Sequence, residues 1–290
     1  MAAGPPLAVA PGADTAAGAV AGLSISRVRA RAIGYRLSID VVDGATLRIV
    51  SWNCARGLDA KRAARLLDLG PDVAVIQECA ETAELDGMFR VAWAGAIPDK
   101  GMAVFARPEV DAEPLDANAE VRRWCLPVRL AALDVDVLGV WGFAKNGKAG
   151  PPREVARTAI NGVGPVLTRA RAVVIGDFND GPHFDAGNGR SFARTWELLE
   201  SAGYRSLYHA RTREAYGAET AATLFFKWRR AEPFLIDHAF LPAAWLDAVR
   251  GFDIGSPERW LDVSDHMPLV LDLAAPRPNE PVGPAAGPST

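Results

Sequence analysis

Three short, predominantly apolar segments constrain the fold of this chain most. They are Val73-Ala-Val-Ile, Val135 to Phe143 and Ala172 to Ile175. Runs of this length, without the regular alternation of a half-exposed strand, are typical of strands buried on both faces. Apolar residues at helical spacing in Lys61 to Leu69, followed by Gly70-Pro71, predict a helix that ends before the first of these strands. The chain is therefore predicted to fold into one domain of mixed helices and strands.

Further elements extend this pattern in both directions. Leu47 to Trp52 begins the domain as a short strand-like run. Arg153 to Arg171 is a helix candidate that is interrupted by Gly162, Gly164 and Pro165. Two late segments, Phe234 to Phe240 and Met267 to Leu273, are each predicted to form a strand.

The predicted domain is flanked by segments of different composition. Residues 1–23 consist almost wholly of Ala, Gly, Pro and Val, and residues 275–290 are rich in proline, so both are predicted to be disordered tails. Residues 24–45 are either a linker or a lead-in strand. The folded domain is expected to span residues 46–274.

Charge and cysteine content exclude several classes of protein. The formal net charge is −3, so binding to nucleic acid through bulk positive charge is not expected, and a polyanionic substrate requires a local basic lining or a bound cation. No apolar run approaches the ~18 residues of a membrane-spanning helix. The three cysteines are too few, and odd in number, for a disulfide scaffold. A reducing compartment, the cytoplasm, is the simpler interpretation.

Polar side chains follow several of the apolar runs, at five places that are far apart in the sequence. These places are Asn53, Gln77-Glu78, Asp177 with Asn179 and Asp180, Asp237, and Asp265-His266. Strand ends and their loops are where layered folds place ligand-binding groups. The five places can converge only if their strands are neighbours in sheets.

For any one of these residues, a polar group that ends its strand in water is the simpler explanation. That explanation is improbable for all five together, because Glu78 lies within Ile76-Gln-Glu-Cys and Asp177 directly follows an apolar run. A buried carboxylate without a partner is costly in free energy. The pattern therefore favours a shared functional site.

These motifs resemble those of the endonuclease/exonuclease/phosphatase superfamily, the metal-dependent phosphoesterases with the deoxyribonuclease-I-like fold. The resemblance covers residues 46–274 in the family's order and rests on the motifs Ser51-Trp-Asn53, Gln77-Glu78, Gly176-Asp-Phe-Asn179, Ile236-Asp237 and Ser264-Asp-His266. Gly101 to Arg107 also resembles the family's strand after the glutamate motif. The resemblance implies an α+β fold, a four-layer sandwich of two packed mixed β-sheets flanked by helices, with the site at one end.

A divalent cation is the expected cofactor of such a site. Carboxylate and amide oxygens select a hard cation, Mg²⁺ or Mn²⁺, which would neutralise the charge of a phosphate ester under attack. Glu78 is the main predicted metal ligand, with Asn53 beside it and Asp265 as a further contributor.

The resemblance assigns Asp177 to orienting or deprotonating the attacking water, and Asn179 to donating hydrogen bonds to a phosphate oxygen. The two residues lie two positions apart, so in an extended segment both side chains would face the same way. An Asx turn that closes the loop after the strand is the structural alternative, and it is compatible with catalysis.

His266 is the predicted carrier of a proton or of positive charge. An ordinary histidine pKa of about 6.5 permits either a neutral base or a cation near neutral pH. The resemblance makes Asp237 its partner, and a nearby carboxylate favours the charged form. Whether His266 acts as the base, or as a phosphate-binding cation with Asp177 as the base, stays open. His183, His209 and His238 are expected to be structural.

One position departs from the family pattern. Many relatives carry a histidine or a tyrosine near the end of the strand that precedes the one leading into the Gly176-Asp-Phe-Asn179 motif, and this chain has Trp141 there. An indole carries no charge, so Trp141 either contacts substrate by stacking or one hydrogen bond, or packs in the core. Lys145 and Asn146 are candidate substrate contacts that would supply the missing positive charge.

The expected function is that of a divalent-metal-dependent phosphoesterase acting on nucleic-acid phosphodiesters, DNA or RNA, by attack of an activated water. Residues 205–230 interleave basic and aromatic side chains that suit phosphates and bases, although an ordinary solvated loop has the same composition. The alternatives are a phosphomonoesterase, a lipid or inositol-phosphate phosphoesterase, and a binding module that has lost the reaction. No stable protein partner is evident.

Overall fold

The computed structural model of the protein describes residues 46–55, 57–143, 152–186 and 189–274. Several sequence-based predictions lie outside these residues: the segments 1–23, 24–45 and 275–290, and the substrate contacts Lys145 and Asn146.

The described residues form fourteen strands. They are β1 Thr46–Asn53, β2 Val73–Cys79, β3 Phe89–Ile97, β4 Lys100–Ala106, β5 Ala112–Pro114, β6 Cys125–Leu130, β7 Val135–Trp141, β8 Ala172–Asp177, β9 Tyr204–Ser206, β10 Leu224–Phe225, β11 Pro233–Phe234, β12 Asp237–Pro242, β13 Val249–Ile254 and β14 Leu269–Ala274.

The same residues form seven α-helices, and most of them are short. They are α1 Ala60–Leu67, α2 Ala119–Arg122, α3 Pro152–Gly162, α4 Gly164–Leu167, α5 Ser191–Ser201, α6 Leu207–Thr212 and α7 Pro257–Trp260. Within the described ranges, no helix combines the length and the apolar character that crossing a bilayer requires.

Local sequence explains where α1 begins and ends. The Asp59 carboxylate accepts the backbone N–H of Arg62 at 2.8 Å and so caps the first turn. Leu66 is buried on the inner face. Gly70 adopts a left-handed conformation, with φ at 63°, and ends the segment as its Gly-Pro pair predicts.

Two mixed sheets of six strands each form the centre of the domain. The first has the order β13-β14-β1-β2-β4-β3 and the second has the order β5-β6-β7-β8-β12-β9. Strands β1 and β2 run parallel in the first sheet, and β7 and β8 run parallel in the second. The other pairs are antiparallel, and β10 and β11 form a separate hairpin.

The inner faces of the two sheets share one core. Val75 and Val104 of the first sheet belong to the same buried cluster as Val137 and Ile175 of the second. The sheets approach closely at Gly139, where an added Cβ would lie 2.7 Å from a methyl group of Val75. A larger residue there would force the two sheets apart.

Helices cover both outer faces. Ile160 of α3 and Phe192 of α5 pack on the second sheet, and Leu66 of α1 and Trp260 of α7 pack on the first. Trp260 meets Trp52 edge to face, with ring centroids 5.0 Å apart. The α+β four-layer sandwich is therefore confirmed.

The predicted strand from Phe234 to Phe240 is wrong as a single element. The structure divides it into β11 and β12, which belong to different sheets. The break occurs because the backbone N–H groups of Ile236 and Asp237 donate to the buried hydroxyl of Thr223, at 3.1 and 2.9 Å, instead of to a neighbouring strand.

Candidate active site

Strands from both sheets bring the predicted site residues to one edge of the sandwich. Asp177 ends β8 and lies directly opposite Asp237, the first residue of the antiparallel strand β12. His266 directly precedes the segment that leads into β14, whose first residue Leu269 pairs with Ser51 near the end of β1. Residues far apart in sequence thus meet because their strands end together.

Three ionisable side chains form a buried cluster at this edge. The Nδ1 atom of His266 donates a hydrogen bond to Oδ2 of Asp237 at 2.9 Å. One ligand atom each from Asp177, Asp237 and His266 lies within 4.8 Å of the others, and all three residues are buried. The cluster can therefore hold charge or a proton away from bulk water.

The cluster favours a protonated histidine. Burial opposes the charged form of His266, but the negative charges of Asp237 and Asp177 outweigh burial and raise its pKa to about 10. Burial, and then the charge of Asp237, raise the pKa of the Asp177 carboxyl above its usual range. At neutral pH the geometry thus favours a cationic His266 beside an Asp177 that accepts protons more readily than an ordinary carboxylate.

Three N–H groups orient the Asp177 carboxylate. The side-chain amides of Asn53 and Asn179 donate to Oδ2 at 3.0 and 2.9 Å, and the backbone N–H of Asn179 donates to Oδ1 at 2.8 Å. The segment is an Asx-type turn, and Asn179 adopts a left-handed conformation with φ at 48°. The expected extended segment is therefore wrong and the Asx-turn alternative is confirmed, although the two side chains do meet.

Residues that the sequence reasoning missed hold these groups in place. The Ser264 hydroxyl donates to the Asn53 carbonyl at 2.7 Å and accepts the His266 N–H at 3.0 Å. The Trp52 indole donates to the His266 carbonyl at 2.9 Å. Ser264 and Trp52 lie inside the recognised motifs, whereas Thr223, which positions Asp237, carries no comparable signal.

Glu78 lies on a β-bulge at the end of β2. Gln77 pairs with Met102 and Cys79 pairs with Gly101, so Glu78 is the extra residue, and its φ is 61°. A bulge redirects the side chain that it carries. Here the Glu78 carboxylate lies 3.0 Å from the ammonium group of Lys100 at the start of β4.

The donor set suits a hard divalent cation. Glu78, Asp265 and the side-chain oxygen of Asn53 offer oxygen ligands, the type that Mg²⁺ and Mn²⁺ prefer. The Asn53 oxygen already accepts the Ala55 N–H at 3.0 Å and has a second lone pair. The compact Asp177–Asp237–His266 cluster is a different set, and a protonated His266 has no lone pair for a metal.

A family model described as the endonuclease/exonuclease/phosphatase family matches residues 50–266 of the chain. The chain belongs to this family. It is therefore a hydrolase of phosphate esters. Comparison with curated proteins gives no significant match.

Solved structures similar to this family member share its fold. A 3′ phosphatase from Neisseria bound to a product DNA hairpin has a TM-score of 0.60 at 20% identity and covers 78% of this chain and 99% of its own. An AP endonuclease from Archaeoglobus fulgidus has a TM-score of 0.56 at 16% identity, covering 78% and 99%. An AP endonuclease from Leishmania major has a TM-score of 0.59 at 13% identity, covering 80% and 88%.

Trp141 is 3% exposed and belongs to the core between the sheets. Its ring stacks on Phe143 with centroids 4.8 Å apart, so the core-packing alternative fits this family member better than stacking on a substrate base. Its indole N–H is buried and has no hydrogen-bond partner among the described residues.

The other histidines have structural surroundings. His238 is buried, donates from Nε2 to the Asp180 carbonyl at 2.9 Å, and has a pKa lowered to about 3 by burial. His209 lies 2.8 Å from a Glu219 carboxylate oxygen. His183 packs edge-on against Phe234.

Part of the basic and aromatic segment 205–230 adjoins the site. Backbone hydrogen bonds join the hairpin of β10 and β11 to the segment that carries Asp265 and His266. The N–H of Phe225 donates to the Asp265 carbonyl at 2.8 Å, and Leu224 forms an isolated antiparallel β-bridge with His266. Phe226 at the tip is 43% exposed, with the Lys227 ammonium 5.0 Å from its ring centroid. Elsewhere in the segment, Tyr208 is buried.

Proposed function

We propose that this protein is a divalent-metal-dependent phosphoesterase that hydrolyses nucleic-acid phosphodiesters by attack of an activated water. The observation that carries the proposal is the buried cluster of Asp177, Asp237 and His266, with two asparagine amides oriented on Asp177. This arrangement provides a proton acceptor and a positive charge side by side, as hydrolysis of an anionic ester requires.

Asp177 is the proposed general base. Its carboxylate is held by three N–H donors, so its orientation is set before substrate binds. Its raised pKa brings its basicity closer to neutral pH, where proton transfer from water is more effective.

His266 is the proposed phosphate-binding cation rather than the base. Its Nδ1 atom is bonded to Asp237, which keeps the ring charged and fixes its orientation. We assign its Nε2–H to a non-bridging phosphate oxygen, whose negative charge grows during attack. The second N–H of the Asn179 amide is assigned to the same developing charge.

Glu78, Asp265 and the side-chain oxygen of Asn53 are the proposed metal ligands. When bound, Mg²⁺ or Mn²⁺ would polarise the phosphoryl oxygen and stabilise charge on the leaving oxygen. Glu78 belongs to the first sheet and Asp177 to the second, so the phosphate is expected to bind between the two sheet ends.

Nucleic acid is the proposed substrate because of the hairpin beside the site. Exposed Phe226 and Lys227 at its tip suit one stacked base and one phosphate. Arg229 and Arg230 are engaged with Glu232 and Glu258, both at 2.6 Å, so the local positive charge is small. A short, local contact with the strand is therefore proposed instead of broad coverage of a duplex.

A phosphomonoesterase is the second candidate, favoured by the fold that this chain shares with the Neisseria 3′ phosphatase. Hydrolysis of bis(p-nitrophenyl) phosphate and of p-nitrophenyl phosphate, each with Mg²⁺ or EDTA, separates the two reactions. Oligonucleotides that carry an internal diester, an abasic site or a 3′-phosphate then define the substrate. Diester hydrolysis that EDTA abolishes is the expected result, and turnover of monoesters alone would contradict the proposal.

We also propose that the protein works in a reducing compartment such as the cytoplasm. Cys54, Cys79 and Cys125 are free and buried. Burial raises the pKa of the Cys79 and Cys125 thiols to about 12, so both stay protonated and unreactive.

A further inference from the structure

Lys100 connects the two halves of the site. Its ammonium group lies 3.0 Å from Oε1 of Glu78 in the first sheet. The same nitrogen lies 4.6 Å from the Phe143 ring centroid and 5.9 Å from the Trp141 ring centroid, at the end of β7 in the second sheet. Trp141 lies directly opposite Asp177 in the parallel pair of β7 and β8. The ammonium group therefore lies against the proposed metal ligand, and its aromatic neighbour Trp141 is the strand partner of the proposed base.

The surroundings of Lys100 hold a cation without burying it. The two aromatic faces attract the ammonium group through their quadrupoles, and the Glu78 carboxylate attracts it through its charge. The Lys100 side chain is 34% exposed and that of Glu78 is 20% exposed, so water and a ligand can reach the pair. A lysine has three rotatable donors on a flexible stem, so its ammonium group can exchange one anionic partner for another nearby.

We propose that Lys100 neutralises Glu78 until the divalent metal binds there, and then binds a non-bridging oxygen of the substrate phosphate. The proposal rests on the proposed function, because it takes Glu78 as a metal ligand and a phosphate ester as the substrate. It assigns to Lys100 the positive charge that Trp141 cannot provide at the end of β7.

The proposal has two consequences with opposite signs. Lys100 competes with the metal for Glu78, so removing its charge strengthens metal binding. Lys100 also assists substrate binding, so the same change weakens the Michaelis complex. A lysine that only stabilised the fold would produce neither effect.

Binding of Mn²⁺ without substrate tests the first consequence. Titration of Mn²⁺ into the full-length protein, followed by electron paramagnetic resonance of the free ion, gives the dissociation constant. Lys100→Met and Lys100→Gln are expected to lower this dissociation constant about two- to fivefold, since a partly exposed ion pair is typically worth up to about 1 kcal/mol, which corresponds to roughly fivefold. Lys100→Arg keeps the charge and is expected to stay near the wild-type value.

Lys61→Met is the matched control. Lys61 also forms an ion pair, with Asp262 at 2.9 Å, but its side chain is 62% exposed on the outer helix α1. This variant is expected to bind Mn²⁺ as the wild type does. Glu78→Gln is expected to weaken Mn²⁺ binding, and if it does not, the proposed metal site fails whatever Lys100 does.

Steady-state kinetics at saturating metal test the second consequence. The KM of Lys100→Met for the phosphodiester is expected to rise roughly tenfold or more, as for loss of a charge-assisted hydrogen bond, with a smaller change in kcat. Unchanged or weaker Mn²⁺ binding in Lys100→Met, while Glu78→Gln does weaken it, would overturn the competition. A wild-type KM in a variant that binds Mn²⁺ more tightly would overturn the role in substrate binding.

Discussion

Asp237→Asn is the sharpest test of how the site distributes charge. The carboxylate lies 2.9 Å from His266 Nδ1 and directly opposite Asp177 across β8 and β12. Its negative charge raises the pKa of both neighbours. The amide keeps the shape and one acceptor but removes the charge. Both pKa values are therefore expected to fall together.

The size of the shift follows from the contact. A buried hydrogen bond between charged partners is worth about 1.5 to 3 kcal/mol, and each pKa unit corresponds to about 1.4 kcal/mol. The pKa of His266 is thus expected to fall by about one to two units from its value of about 10. The pKa of Asp177 is expected to fall as well, because one of the causes that raise it is removed.

The assay is the pH dependence of kcat/KM for a phosphodiester at saturating Mg²⁺ and constant ionic strength. Below the acid limb Asp177 is protonated and inactive as a base, and above the alkaline limb His266 is neutral. Asp237→Asn is expected to move both limbs to lower pH. Nuclear magnetic resonance of the His266 ring gives its pKa independently of turnover.

Asp272→Asn is the control, because it breaks an ion pair with Arg48 on the first sheet, where Asp272 Oδ1 lies 2.7 Å from Arg48 Nε. Its pH profile is expected to match that of the wild type. A profile of Asp237→Asn that is lower at every pH, but has both limbs in place, would refute the electrostatic role assigned to Asp237.

Four further predictions follow from the same contacts. Glu78→Gln and His266→Ala should each lower kcat at least about a hundredfold while thermal unfolding stays cooperative, and wild-type rates would contradict their roles. Thr223→Val should lower the free energy of unfolding in urea by about 2 to 4 kcal/mol, since two buried N–H groups lose their acceptor, and Thr223→Ser should restore most of it. Phe226→Ala should raise KM for oligonucleotides but leave hydrolysis of bis(p-nitrophenyl) phosphate unchanged; equal effects on both would exclude a base contact. In the metal-free protein His266 has a pKa of about 10 when folded and an ordinary value of about 6.5 when unfolded, so its protonation stabilises the fold fully below about 6.5. This contribution should be lost as pH rises through about 10. A free energy of unfolding in urea that does not change over this pH range would contradict the prediction.

The sequence predicted the architecture well because burial leaves a direct pattern. The run Val73-Ala-Val-Ile does form a strand buried on both faces, between two layers of side chains. Strand continuity was harder to predict. Phe234 to Phe240 is apolar enough for one strand, and only the long-range hydrogen bond that the Asp237 N–H donates to the Thr223 hydroxyl shows where it breaks.

The positions of the motif residues were also accessible from sequence, since each follows a strand. Their contacts were not. Asn53 was predicted as a metal ligand, and the structure places its amide nitrogen on Asp177. Which of its two groups faces a neighbour depends on a rotation about one side-chain bond, and residue spacing contains no information on that angle.

Lys100 shows most clearly what spacing cannot reveal. It opens β4 after a turn, as surface lysines often do, and no motif includes it. Its position next to Glu78 depends on the bulge in β2, and its position above Phe143 depends on how the second sheet packs on the first. Neither feature is encoded locally.

The charge balance explains how such a site can fold before it holds a metal. Buried carboxylates destabilise a fold unless cations lie beside them. In this structure Asp177 and Asp237 share the charge of His266, and Glu78 lies against Lys100. Each group of anions thus has its own cation. Because the hydrogen bond between His266 and Asp237 is buried, whereas the Lys100 side chain is 34% exposed, the two cations respond differently to a ligand: His266 keeps its partner, and Lys100 exchanges its own.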